Sequence, residues 1–156
     1  KPDTRLENME MEIPQITPQE AHDRMHGENT EVYIDVRSLP EFEQAHPDGA
    51  FNIPIMHFDP TRGGMVENPD FLEVVKNNFP VDTQLILGCQ VGMRSQRAAE
   101  ILAAEGYRDL VNVKGGFGGT KNRSGITTEK GWAELGLPVF QGNDGGVSYE
   151  SLATRK

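Results

Sequence analysis

Short apolar runs alternate with helix-start signatures along most of this chain, and no other feature restricts its architecture as strongly. Thr17-Pro18-Gln19-Glu20 has the capping-box pattern with proline at the first helical position, and it opens a short helix to about Met25. Glu31-Val32-Tyr33-Ile34-Asp35-Val36 reads as a buried strand. Ser38-Leu39-Pro40-Glu41 is a second capping box, and another short helix follows it. A strand over residues 50–53 stops at Pro54. Asn68-Pro69 then opens a helix carrying Phe71, Leu72, Val74 and Val75, and Pro80 closes that region. Gln84-Leu85-Ile86-Leu87-Gly88 is a strand that ends at Cys89. Residues 95–105 form a strong helix with Ala98, Ala99, Ile101 and Leu102 as its apolar positions and Gly106 at the place of a C-cap. Leu110–Val113 is the next strand, Gly115 and Gly116 follow it, and a last short helix is expected within residues 125–135. Strands that alternate with helices pair in parallel. The expected fold is therefore α/β, with a central parallel sheet of about five strands and helices on both faces. Ligands in such sheets bind beyond the carboxyl ends of the strands. Cys89 stands at one such end and Gly115-Gly116 at another.

The 156 residues suit one ordinary domain. The expected division is a flexible arm over residues 1–12, a folded domain over 13–140 and a flexible tail over 141–156, which contains Gly142, Gly145 and Gly146. A single cysteine excludes an internal disulfide and a cysteine-rich zinc site. The net charge of -9 argues against nucleic acid or an anionic membrane as the partner. No apolar run reaches the length of a membrane span, and no secretory apolar segment is visible. Lys1 in place of an initiator methionine points to a boundary or a removed segment upstream, so the expected compartment, the cytoplasm, is a default.

The segment Cys89-Gln90-Val91-Gly92-Met93-Arg94 lies between a strand and a helix. A loop entering a helix directs its unpaired N–H groups into one space, and those groups together with the helix dipole favour an anion. Gly92 allows a curl that other residues resist, and Arg94 adds a permanent positive charge. Such surroundings favour a thiolate. Acidity alone achieves little, however. For any thiol, a drop of about two pKa units raises the thiolate fraction near neutral pH roughly twelve-fold but lowers intrinsic nucleophilicity roughly eight-fold. The larger expected contribution is the cradle itself, which holds an anionic substrate and stabilises charge in the transition state.

These residues resemble the rhodanese family. Cys89-Gln90-Val91-Gly92-Met93-Arg94 matches its six-residue active loop, Cys-x-x-Gly-x-Arg. Asp35-Val36-Arg37, Glu41-Phe42, His46, Gly49-Ala50 and Asn52-Ile53-Pro54 resemble its upstream motif. Gly115-Gly116, Trp132 and Gly136-Leu137-Pro138-Val139 resemble its C-terminal motif. The likeness spans residues 13–139. Two departures stand out: Ala45-His46-Pro47 replaces the usual Gly-His-Ile, and residues 117–131 form a longer stretch than usual, rich in glycine and cations. The resemblance implies a thiosulfate sulfurtransferase in which Cys89 is the catalytic nucleophile and carries a persulfide. Gln90, Val91, Gly92, Met93 and Arg94 would bind the substrate, while Asp35, Arg37, Gly115 and Gly116 would brace the site. The implied partners are a small anionic donor such as thiosulfate and a thiol, cyanide or protein acceptor, with no cofactor. A non-enzymatic persulfide carrier or redox-sensing module is the alternative reading. A phosphatase or arsenate reductase is disfavoured, because related enzymes of those kinds carry Cys-x5-Arg, one residue longer.

Other candidates are weaker. His22 and His26 share a helix face but lack a third metal ligand, and no metal is expected. His46 and His57 read as structural or surface residues. Residues 115–121 lack the order of a nucleotide-binding phosphate loop, and the sequon Asn122-Arg123-Ser124 has meaning only in a secreted chain. The longer stretch, with Lys114, Lys121 and Arg123, reads either as a lid or acceptor-selecting wall overhanging the Cys89 loop or as a floppy surface insertion.

Overall fold

The period of two in the apolar strands sorts side chains onto two faces, and each face is covered by its own helices. The computed structural model describes residues 12–143 and 146–154. In chain order its elements are β1 (Gln15–Ile16), α1 (Pro18–Met25), β2 (Val32–Asp35), α2 (Leu39–Gln44), β3 (His46–Pro47), β4 (Phe51–Asn52), β5 (Met56–Asp59) and β6 (Gly64–Glu67). These are followed by α3 (Phe71–Asn78), β7 (Leu85–Gly88), α4 (Met93–Ala104), β8 (Leu110–Val113), β9 (Thr120–Lys121), β10 (Thr127–Glu129), β11 (Val139–Phe140) and α5 (Tyr149–Ala153). The main sheet has five strands in the order β1-β8-β7-β2-β4, and every neighbouring pair is parallel. The expected fold class is the observed one.

Ile34, Leu85, Leu87 and Leu110 face α3, α4 and α5 and pack with Phe71, Val75, Ala98, Leu102 and Leu152. Tyr33, Ile86, Val111 and Val113 face the other way, towards α1 and α2, and pack with Ala21, Met25, Phe42 and Trp132. Gly88 belongs to this second face. A Cβ there would fall 1.9 Å from the Tyr33 hydroxyl, so the residue before Cys89 has no room for a side chain. The Thr17 box forms as expected: the Glu20 N–H donates to Thr17 Oγ1 at 3.1 Å, and the Thr17 N–H donates to Glu20 Oε1 at 2.9 Å.

One sequence expectation is corrected, and two further segments carry elements that the sequence reading does not name. Residues 125–135 hold no helix. Thr127–Glu129 is a strand that pairs antiparallel with β9, because the β-branched run Ile126-Thr127-Thr128 suits a strand. Only one turn follows, where the Leu135 N–H meets the Gly131 carbonyl, and Gly136 ends it at φ 73. The stretch expected to be a loose tail contains α5, capped by Ser148, whose Oγ accepts from the Ser151 N–H. Leu152 of this helix is fully buried, and the Asn78 side chain donates to its carbonyl at 3.0 Å. The β5–β6 hairpin has no counterpart among the expected elements, although Pro60 and Gly63-Gly64 mark its turn. The proposed arm over residues 1–12 lies, except for Glu12, outside the described residues. Among the described residues no helix is long and apolar enough to cross a membrane.

Candidate active site

Strand β7 delivers Cys89 to the carboxyl end of the sheet, and α4 begins four residues later. Gly92 forms the N-cap of α4 at φ 106, a conformation in the left-handed region that favours glycine. Its N–H donates to Cys89 Sγ at 3.0 Å. No side chain caps α4. The amides of Gln90, Val91, Met93 and Arg94 meet no acceptor among the described residues. Open amides at a helix start are the arrangement in which the loop pattern predicts an anion.

The turn after β8 braces that cradle from behind. The Phe117 N–H donates to the Cys89 carbonyl at 2.8 Å, and the Gly118 N–H donates to the Gln90 carbonyl at 2.9 Å. In a trans peptide the N–H points opposite the C=O. Holding these two carbonyls therefore aims the Gln90 and Val91 amides away from the brace. Gly116 makes the approach feasible: its φ is 54, and a Cβ there would sit 2.4 Å from the Cys89 carbonyl oxygen. Gly115 leaves room for Glu129 and Lys130 of the following hairpin.

Cys89 is 1% exposed. Behind it, Ser95 Oγ lies 3.3 Å from Sγ and 2.5 Å from Asn112 Oδ1. Asp35 and Arg37 form a buried ion pair at 2.9 Å. Arg37 reaches the loop through Gln90 Oε1 at 3.1 Å, donates to the Ala45 carbonyl at 2.6 Å, and lies 4.5 Å over the Phe117 ring. Its positive charge is neutralised before it meets the cradle.

Arg94 is also paired. Its Nη1 and Nη2 donate to Glu41 Oε1 and Oε2 at 2.8 and 3.0 Å. Glu41 Oε1 accepts in addition from the Ser38 N–H and hydroxyl at the start of α2. Burial works against ionisation of Glu41, but the bonds from Arg94 and Ser38 outweigh it and bring its carboxyl down to about 2. The Glu41 bonds, ahead of an opposing burial effect, raise the Arg94 guanidinium above its ordinary value. Glu41, Ser95 and Asn112 are the residues that the sequence reading did not assign to the site. Glu41 is legible as a helix cap and as part of the upstream motif, but not as the partner of Arg94. Ser95 was readable as the first residue after the loop.

Among the other candidates, the His22 and His26 rings lie 4.5 Å apart, as one helix face requires. His46 stacks on Phe42 at 3.5 Å and donates from Nδ1 to the Phe42 carbonyl; burial lowers its pKa. His57 packs near Tyr149. Residues 120–129 form the β9–β10 hairpin. Lys121 and Arg123 are exposed and make no ion pair among the described residues, whereas residues 117 and 118 touch the loop. A shallow space of about 520 Å³ borders Arg94 and Glu41 and is walled by Phe58 and Met65 of the β5–β6 hairpin.

The family model for the rhodanese-like domain matches residues 17–123. Thiosulfate sulfurtransferase 16, chloroplastic, of Arabidopsis thaliana is 38% identical over 109 residues, which cover 69% of this chain and 78% of that protein. The thiosulfate sulfurtransferase GlpE of Glaesserella parasuis is 28% identical over 134 residues, covering 86% of this chain and 99% of its own. The chain spans about half, 51%, of a further Arabidopsis relative, the chloroplastic rhodanese-like domain-containing protein 15. Among solved structures, Rv0390 from M. tuberculosis superposes with a TM-score of 0.68 at 28% identity, covering 83% of this chain and 98% of that one.

Proposed function

The chain belongs to the rhodanese family, and on that premise we propose that it is a sulfurtransferase in which Cys89 carries the transferred sulfur. The Gly92 N–H on Cys89 Sγ, within a loop whose remaining amides stand open, is the observation that carries this reading. The Cys89 thiolate attacks the outer sulfur of thiosulfate or a similar donor. A new S–S bond forms, the donor's S–S bond breaks, and sulfite leaves with the electron pair. The amides of residues 90–94 hold the negative charge of the donor and then of the persulfide. Cyanide, or the thiolate of a small thiol or of a protein, attacks the outer persulfide sulfur and departs with it, and the Cys89 thiolate returns. No general base is required, because the attacking group is already an anion.

The pairing of Arg94 with Glu41 refines the role given to the arginine. The amides bind the donor, and Arg94 contributes from the rim with a charge that it shares with Glu41. Cys89 is shielded from solvent, so a small donor suits the site. The test is intact-protein mass after thiosulfate. A gain of about 32 daltons, one sulfur atom, is expected for the wild type, and none for Cys89→Ser. A folded wild-type protein that gains no sulfur from thiosulfate or from organic persulfides would sink the proposal.

A further inference from the structure

Cys89 does not have the Ser95 hydroxyl to itself. Ser95 Oγ lies between Cys89 Sγ at 3.3 Å and Asn112 Oδ1 at 2.5 Å, and a hydroxyl has one proton to donate. The Asn112 amide is not free to turn. Its Nδ2 donates to the Gly92 carbonyl at 3.1 Å and to Gln15 Oε1 at 2.9 Å, and a main-chain carbonyl can only accept. Asn112 therefore presents its oxygen to Ser95. Ser95 is 0% and Asn112 2% exposed, so bulk water does not replace a lost partner.

We infer that Asn112 competes with Cys89 for the Ser95 proton and so sets the balance between the thiol and the thiolate of Cys89. In the thiol form the Cys89 S–H donates to Ser95 Oγ, the Ser95 O–H donates to Asn112 Oδ1, and each group is satisfied. When the thiol proton passes to solvent, the Ser95 hydroxyl can turn to the sulfur only by leaving Asn112 Oδ1 without a donor. A buried acceptor without a partner opposes that turn. Asn112 thus restrains a thiolate that the Gly92 N–H favours, and it does so as a positioning residue, through Ser95.

The charged and titratable groups around the sulfur are Arg94 of α4 with Glu41 of α2, the Asp35–Arg37 pair at the end of β2, and Tyr33 on β2. None of them is altered in the variants below, so none accounts for a difference between those variants. The inference rests on Cys89 being the reactive group, but its readout is alkylation, which requires no sulfur transfer.

The experiment is the pH dependence of iodoacetamide alkylation in the wild type, Asn112→Ala, Ser95→Ala and the double variant. Asn112→Ala should move the half-maximal pH down by about one unit while Ser95 is present, and should move it no further in a Ser95→Ala background. The double variant should coincide with Ser95→Ala. A folded Asn112→Ala protein with the wild-type midpoint, or a downward shift that persists without the Ser95 hydroxyl, overturns the inference. Should Asn112→Ala fail to fold, Asn112→Val, which suits a strand, takes its place. The wild type supplies an independent check: the Asn112 side-chain amide resonance should titrate with the alkylation midpoint, and a resonance that stays fixed through it overturns the inference. A protein that alkylates as expected but never gains sulfur would preserve this inference and reject the sulfurtransferase reading.

Discussion

At Arg94, the charge expected to meet a substrate anion already rests on Glu41 through two hydrogen bonds. The pair is about one-quarter to one-third exposed, at 24% and 33%, so solvent screens it in part. Its sign with pH is still definite. The Glu41 carboxyl lies near 2 in the folded protein, against an ordinary 4.5. A depressed carboxyl stabilises the fold fully above its ordinary pKa and loses that contribution as pH falls through the folded value. Urea unfolding of the wild type and Glu41→Gln should show a wild-type advantage at pH 6 that shrinks between about pH 4.5 and 2. An advantage constant over that range would assign the shift to other groups. The same residue shows where reading the sequence falls short. Ser38-Leu39-Pro40-Glu41 announces a cap, and Glu41 does bind Ser38. Its second partner, Arg94, is fifty-three positions away in sequence, and no local pattern encodes that meeting.

At the scale of elements, the loop is legible because its chemistry is contiguous. A strand, a cysteine, a positive-φ glycine and a helix start occupy ten residues, and the structure places them as the spacing implies. The brace behind the loop is not contiguous with it. The sequence marks Gly115 and Gly116 as turn formers, whereas the need for Gly116 comes from Cys89 and Gln90, whose carbonyls occupy the space of its missing Cβ. Gly116→Ala should therefore force the brace away and release the Phe117 and Gly118 bonds to the loop. The expected stability loss is about 1–3 kcal/mol, and persulfide loading should slow about ten-fold or more as the amides lose their aim. Gly125→Ala is the control. Its φ of 81 is also positive, but a Cβ there meets nothing within 4 Å. It should carry the backbone strain without the loss of loading. Equal loading rates in the two variants would mean that the brace does not orient the cradle.

For the whole molecule, the sheet and its two helical faces follow from patterns of period two and 3.6. The boundary at residue 140 does not, because it rests on composition alone. Glycines at 142, 145 and 146 suggest a chain leaving the domain, yet the chain returns at Ser148 and docks α5 on the face shared by α3 and α4. A five-residue helix is too short to show a period, and Leu152 is the one apolar side chain it buries completely. Such a helix does not hold itself together; burial of Leu152 among the core residues and the bond from Asn78 hold it. We propose that the folded domain extends through α5. Leu152→Ala then creates a cavity in the core and should cost about 2–5 kcal/mol, measured by urea unfolding. For a domain of this size that is a drop in Tm of several degrees or more. Tyr149→Phe, which removes only a hydroxyl within reach of Asn68 at 3.2 Å, should cost about 1 kcal/mol. A domain complete at residue 140 would unfold identically with leucine or alanine at position 152, and that result would restore the tail reading.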